Sequence, residues 1–240
     1  MDIVSALDAH EGICCAIGAG GTKTTLYTLA QRVERAVVTA TVRIPPFESA
    51  VADFRITEDP ASAIERASRW PLGVVRARDG TDRYAGYELA TVDSLADLPV
   101  TVLVKADGAR MRQFKAPNEH EPRIPSRTTT VIPIASAHVV GEPLDEAIVH
   151  RVDRVASIVG MNPGDTIRPE HVAMVMASDR GGMKDVPGNA TVIPLINMVD
   201  DDSLRERGRE IADAIHERVD VPRVVLAAMR DPNPLVEVIQ

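Results

Sequence analysis

A glycine-rich stretch close to the amino terminus carries the residue types that bind phosphate. It reads Gly18, Ala19, Gly20, Gly21, Thr22, Lys23, Thr24, Thr25. Glycines let a backbone approach an anion closely, and the N–H groups that open a helix have no partner inside it. We therefore expect these glycines to cradle a phosphate, Lys23 to add charge, and Thr24 or Thr25 to offer a hydroxyl to Mg²⁺. The alternative interpretation is a glycine turn that binds nothing.

An aspartate, Asp107, follows a buried strand that the apolar run from Val100 to Val104 predicts. In open parallel sheets, ligands gather at the carboxyl ends of strands. We expect Asp107 to lie opposite the glycine stretch, where its carboxylate would hold Mg²⁺ directly or through water and take part in catalysis. Because Asp-Gly pairs are common in turns, the alternative is that Asp107 and Gly108 only shape a turn.

A third candidate, Asn197-Met198-Val199-Asp200, follows a strand predicted from Thr191 to Ile196. The segment is similar to the Asn-Lys-x-Asp element with which GTP-binding proteins read guanine, with Met198 in place of the lysine. Under this interpretation Asn197 and Asp200 contact the nucleotide, and the polarizable thioether of Met198 covers the base. The alternative is that the acidic run from Asp200 to Asp202 caps the next helix.

A long stretch without helical period, from Gly108 to Arg127, is dense in ionisable groups. Loops of this length in compact domains are usually functional or disordered. Six of its side chains are candidates for chemistry: Arg110, Arg112, Lys115, Glu119, His120 and Glu121. The three cations could face a polyphosphate or an anionic substrate, and the other three could supply a catalytic base or a metal ligand. The alternative is a solvated, charged loop.

The elements that must position these residues alternate between strand and helix along the chain. This pattern predicts an α/β fold, a mostly parallel sheet with helices on both faces. We expect a single domain over residues 1–240. Helices predicted at 143–149, 152–159 and 169–177 suggest a helical cap over residues 136–182. The neighbours Cys14 and Cys15 lie in the first predicted strand and should be buried and inert, one on each face.

The composition narrows the class of function. The net charge of −8 disfavours a nucleic-acid binder and a protein that binds anionic membranes. No apolar stretch is long enough to span a bilayer, and Asp2 and Asp8 stand where a signal peptide would be basic. With only a vicinal cysteine pair, a cytoplasmic protein is expected.

Together these motifs resemble the YqeC family of selenium-cofactor biosynthesis proteins, which are described as selenium-dependent hydroxylase accessory proteins. The resemblance covers most of the chain. It is carried by the glycine stretch, Val38-Thr39-Ala40-Thr41 with Ile44-Pro45-Pro46, Ala106-Asp107-Gly108-Ala109-Arg110, Lys115-Ala116-Pro117 with Glu119-His120-Glu121-Pro122, His150-Arg151, and Asn197-Met198-Val199-Asp200.

The resemblance implies a P-loop NTPase-like protein that binds Mg²⁺ with ATP or GTP and helps to mature selenium-dependent molybdenum hydroxylases. The expected partner is such a hydroxylase or its cofactor. Whether the chain is an Mg-dependent NTPase, an NTP-dependent transferase or a homo-oligomer stays open. The alternative is a nucleotide-sensing chaperone that presents a cofactor without turnover.

Three departures from the expected pattern bear on turnover. Thr22 separates Gly21 from Lys23, where phosphate loops usually have glycine, and Met198 replaces a lysine. Lys105 stands where the family pattern favours a glutamate. The lost acidity at Lys105 weighs against hydrolysis or a kinase-like reaction more than against nucleotide binding.

Overall fold

A computed structural model describes all 240 residues, and a long, mostly parallel sheet runs through its centre. The strands are β1 Ile13–Gly18, β2 Ala36–Ala40, β3 Asp53–Ile56, β4 Leu72–Val75, β5 Ala77–Arg78, β6 Tyr84–Ala85, β7 Thr101–Lys105, β8 Phe114–Lys115, β9 Thr130–Ser136, β10 Val149–His150, β11 Thr191–Val192, β12 Leu195–Asn197, β13 Val224–Ala227 and β14 Leu235–Ile239. The helices are α1 Ile3–Ala6, α2 Thr22–Ala30, α3 Pro60–Glu65, α4 Leu89–Asp93, α5 Val152–Val159, α6 Pro169–Met176 and α7 Asp202–His216.

The strand order in the large sheet is β14-β13-β12-β9-β1-β7-β2-β4-β3, with β11 beside β9. Every pairing is parallel except that of β13 with β14. The glycine stretch follows β1, which lies between β7 and β9. Because the chain continues from β1 to the β2 side and later crosses to β9, the carboxyl ends of these strands flank a crevice of the kind that holds ligands in α/β sheets.

Two apolar cores cover the two faces of the sheet, as parallel strands buried on both sides require. Helix α2 packs on one face, and α5, α6 and α7 pack on the other. The predicted α/β class is therefore confirmed. Cys14 and Cys15 are fully buried in opposite cores, and burial raises the pKa of both thiols, that of Cys15 to about 12.

The segment from 136 to 182 contributes α5 and α6 to the core that α7 shares. The helix predicted over 143–149 is wrong, because this stretch forms turns and ends in β10. The reason is local. The Asp145 carboxylate accepts hydrogen bonds from the N–H groups of Ala147 and Ile148, and these bonds compete with the hydrogen bonds of a helix. The strand predicted from Thr191 to Ile196 divides into β11 and β12 just before and after Ile193-Pro194.

None of the seven helices combines the length and the apolar character that crossing a membrane would need.

Candidate functional site

The glycine turn after β1 is built for close approach of backbone to backbone. Gly18, Gly20 and Gly21 have φ of +93°, +91° and +120°, in the region that disfavours side chains. A Cβ at Gly18 would lie 2.3 Å from the carbonyl oxygen of Ile134, and one at Gly21 would lie 2.2 Å from Nδ2 of Asn197. The glycines therefore let the turn fit tightly against the ends of β9 and β12.

The N–H groups of this turn divide into two sets. Ala19 donates to the Ile134 carbonyl at 3.0 Å, and Gly20 donates to the Arg112 carbonyl at 3.2 Å. The next four N–H groups, at residues 21–24, have no acceptor in the protein, and the ladder of α2 begins with Thr25 donating to Gly21. Four consecutive donors at the start of a helix, together with its dipole, favour a bound anion.

Some side chains of the turn form hydrogen bonds within it, and others are free. The hydroxyls of Thr22 and Thr25 donate back to the carbonyls of Gly18 and Gly21, at 3.4 and 3.1 Å. By contrast, Thr24 has no hydrogen-bond partner for its hydroxyl, and Lys23 has no carboxylate within 4.0 Å of its amine. Partial burial and then Arg83 lower the pKa of Lys23. Of the predicted ligand groups, Lys23 and Thr24 are thus the side chains left free.

Asp107 reaches the glycine turn directly. Its carboxylate is buried, and Oδ2 accepts from the Gly18 N–H at 2.7 Å and from Nζ of Lys115 at 2.9 Å. The other oxygen, Oδ1, is buried without any partner. The predicted proximity of Asp107 to the glycine stretch is present, and half of its carboxylate is already engaged.

Lys115 is the centre of a buried ionic network. Its amine, in a side chain only 1% exposed, donates to Asp107, to Oε2 of Glu121 at 3.0 Å and to the Gly108 carbonyl at 2.7 Å. Arg151 donates to the same oxygen of Glu121 at 2.8 Å. Burial alone would raise the pKa of Glu121, but Lys115 and Arg151 together lower it to about 2. The expectation that Lys115 faces an anionic ligand is wrong, because carboxylates of its own chain surround it.

The remaining candidates of the ionisable loop lie at the surface. The His120 side chain is 84% exposed, and Glu119 pairs with Arg154 in solvent. Arg110, with φ of +47°, is exposed and its guanidinium has no partner. No three His, Cys, Asp or Glu side chains come together as a metal site. The structure thus joins Glu121 to Asp107 through Lys115 but does not bring Glu119 or His120 to them.

Lys105 ends β7 with Ala16 and Ala40 as its neighbours on the adjacent strands. It is only 7% exposed and makes no side-chain hydrogen bond or ion pair. Burial is the main cause that lowers the pKa of its amine, with further lowering from Lys115 and Lys23.

Asn197 supports the glycine turn from β12. It is buried, its amide donates to the Gly20 carbonyl at 2.7 Å, and its Oδ1 accepts from the Met229 N–H at 3.1 Å. The side chain is therefore held by its own chain, and the base-reading role of Asn197 stays a prediction. Asp200 is 59% exposed and lies 3.3 Å from Nε2 of His138. Together with Met198 and Thr24, these residues line a cleft of about 230 Å³ beside the turn.

Sequence reasoning missed two kinds of participant. The carbonyls of Ile134 and Arg112, which take up two N–H groups of the turn, carry no side-chain signal. Arg151, which joins the ionic network, sits in a left-handed conformation with φ of +66° just before α5. The only signal for Arg151 is the His150-Arg151 pair within the family resemblance.

The family model described as YqeC protein matches residues 14–153, more than half of the chain. A protein of Escherichia coli (strain K12) described as "Uncharacterized protein YqeC" is 28% identical over 193 residues, which cover 75% of this chain and 73% of the relative. No solved structure matches.

Proposed function

The chain belongs to the YqeC family, and from that membership we propose that it binds Mg²⁺ with ATP or GTP at the glycine turn. In this proposal it is an accessory protein in the maturation of selenium-dependent molybdenum hydroxylases or in selenium-cofactor biosynthesis. The hydroxylase or its cofactor is the partner.

One observation carries the nucleotide proposal. The four unpaired N–H groups at residues 21–24 open a nine-residue helix at the crevice between strand ends, with the unpaired amine of Lys23 among them. A polyphosphate is the ligand whose charge and oxygen count match such a row of donors.

The residues present also fit an Mg²⁺ ion that arrives with the nucleotide. Mg²⁺ is usually bound by one or two protein groups together with substrate phosphates and water, so a complete protein cage is not required. The buried, unpartnered Oδ1 of Asp107 and the free Thr24 hydroxyl would hold the ion or its waters. When bound, the ion would neutralise phosphate charge.

A second candidate function is nucleotide binding without turnover, as in a nucleotide-sensing chaperone for a cofactor. Its support is the state of the acidic groups near the turn. The Asp107 carboxylate is already paired with Lys115, and Glu121, with a pKa of about 2, is a weak base at neutral pH. Glu119 and His120 lie at the surface, so the base candidates of the ionisable loop are not brought to the turn.

Calorimetric titration of Mg·ATP and Mg·GTP tests the shared binding step. We expect Lys23→Ala to weaken binding at least about tenfold, or about 1.4 kcal/mol, because the turn loses its only cationic side chain. Lys184→Ala is the matched control, since Lys184 pairs with Asp185 and not with a group of the turn. Equal affinity in Lys23→Ala and the parent protein would overturn the proposal.

Asp107→Asn separates the metal role from a turn role. If Asp107 is linked to Mg²⁺, nucleotide affinity without the metal should change little, while the gain on adding Mg²⁺ should largely disappear. Unfolding curves must accompany this variant, because it also breaks the Lys115 pair. An unchanged Mg²⁺ dependence would exclude Asp107 from the metal site.

Measuring phosphate release by the parent protein distinguishes the two candidate functions. Release of phosphate from the nucleotide would indicate an enzyme, and its absence would indicate a chaperone.

A further inference from the structure

A second polar basin lies on the far side of the Lys115 network from the glycine turn. Its floor and rim include Arg110, Arg112, His150 and Arg151, and we call it the arginine basin. Its volume, about 560 Å³, is in the range of sites for small molecules. Gly108 and Glu121 line it as well, which sets it directly beside Asp107 along the chain and in space.

The charges of the arginine basin do not cancel. Glu121 is shared between Lys115 and Arg151, so its charge is already compensated within the network. Arg112 donates to the backbone carbonyls of Glu146 and Arg110, not to a carboxylate, and the guanidinium of Arg110 has no partner. With Glu146 as the one unpaired carboxylate, the basin keeps an excess of positive charge in a chain of net charge −8.

The pKa of His150 agrees with this excess of positive charge. Burial first, and then Arg151, Lys115 and Arg110, lower the pKa of this imidazole to about 4, against an opposing contribution from Glu121. The ring is therefore neutral at pH 7 and offers a hydrogen-bond donor that carries no charge. Asn118, also in the basin, has its amide NH₂ free, since only its Oδ1 is used, by the His120 N–H.

We propose that the arginine basin binds the anionic group, a phosphate or a carboxylate, of a small second substrate. Guanidinium groups bind such oxyanions through paired, charge-assisted hydrogen bonds, and Arg110 is unpaired in this structure. The reading as a second-substrate site rests on the proposed nucleotide-dependent function, whereas anion binding in the basin does not depend on it.

A continuous set of contacts connects this basin to the glycine turn. From Arg151 it passes to Glu121 at 2.8 Å, to Lys115 at 3.0 Å, to Asp107 at 2.9 Å, and ends at the Gly18 N–H at 2.7 Å. Nucleotide and second substrate would thus lie at opposite ends of one buried network. This arrangement suits an accessory protein that binds a nucleotide and a second ligand at two connected sites.

The test follows the imidazole signal of His150 by NMR, with His150→Gln assigning the resonance. Inorganic phosphate and succinate are titrated in parallel, so that the stronger response identifies a phosphate or a carboxylate site. We expect a saturable shift and a higher pKa of His150 in the bound state, because an anion favours the charged ring. Arg110→Met should weaken binding at least about tenfold, and Arg110→Lys should weaken it less.

Two control variants locate the bound anion. Arg123→Met removes a cation of the same loop whose side chain pairs with Glu88 outside the basin, and it should leave the affinity unchanged. Lys23→Ala, which tests the nucleotide proposal, should also leave the His150 response intact. The inference is overturned if His150 shows no saturable response to either anion, if Arg110→Met binds as tightly as the parent, or if Lys23→Ala abolishes the response.

Discussion

The glycine turn at residues 18–25 and the ionisable loop at residues 108–127 meet at one edge of the sheet but use their polar groups in opposite ways. The turn has one charged side chain, Lys23, and leaves four backbone donors and that amine without partners. The ionisable loop is rich in charge, yet Lys115 and Glu121 are saturated by contacts within the chain.

This difference indicates that the two regions have different roles. Lys115 holds Asp107 in place, and Asp107 in turn accepts the Gly18 N–H. The charges of the ionisable loop thus brace the turn, while the neutral backbone of the turn stays open to a ligand. A dense run of charges can therefore be structural at its centre and available to ligands only at its edge, where Arg110 lies.

The largest effect should come from removing the centre of the brace. Lys115→Met would leave the carboxylates of Asp107 and Glu121 buried without their common cation, and breaking such a buried pair costs about 3–5 kcal/mol. Urea denaturation should show this loss in the free energy of unfolding. Lys184→Met removes a lysine that pairs with its exposed chain neighbour Asp185, so it should cost clearly less. Equal stability of the two variants would contradict a bracing role.

The second effect tests the tight fit of the turn. Gly18→Ala would place a Cβ 2.3 Å from the Ile134 carbonyl oxygen at a positive φ, so we expect a loss of about 3 kcal/mol in the free energy of unfolding. Gly80→Ala is matched in φ, at +76°, but its Cβ would meet nothing within 4 Å, so strain alone should cost about 1 kcal/mol. Similar losses would mean that close packing does not shape the turn.

The sequence predicted those parts of the molecule that depend on periodicity and on the order of elements along the chain. Buried apolar runs gave the parallel strands, and the rule that ligands gather at strand ends brought Asp107 to the glycine stretch. The helix predicted at 143–149 failed because one side chain, Asp145, turns the backbone locally. The free energies of helix and turn differ little in this stretch, so composition alone does not determine which of them forms.

The candidate site was less predictable than the fold, because its character depends on which polar groups find partners. Asn197 contacts Gly20, 177 residues away in the chain, and Arg151 contacts Glu121 from 30 residues away. Spacing along the sequence identifies candidate ligands but does not show that a distant carbonyl or carboxylate has already taken them. Both Asn197 and Lys115 have such partners within the chain.

The smallest effect separates two glutamates of the ionisable loop. The pKa of Glu121 in the folded protein, about 2, lies below its ordinary 4.5, because Lys115 and Arg151 outweigh the effect of burial. Its stabilising contribution should be complete above about pH 4.5 and should disappear as the pH falls toward 2. At pH 7, Glu121→Gln should lower the free energy of unfolding by about 1–2 kcal/mol, a figure reduced for its partial exposure.

Glu119→Gln is the matched control, since Glu119 lies two residues earlier and pairs with Arg154 in solvent. Denaturation at a series of pH values from 7 downward should show the gap between the parent and Glu121→Gln narrowing below about pH 4.5, as the parent's carboxylate takes up its proton. Glu119→Gln should differ from the parent much less at every pH, because solvent and salt screen an exposed pair. If both variants lost stability alike, or if the Glu121→Gln gap did not depend on pH, the ionisable loop would have no buried ionic centre, and the contrast with the glycine turn would fail.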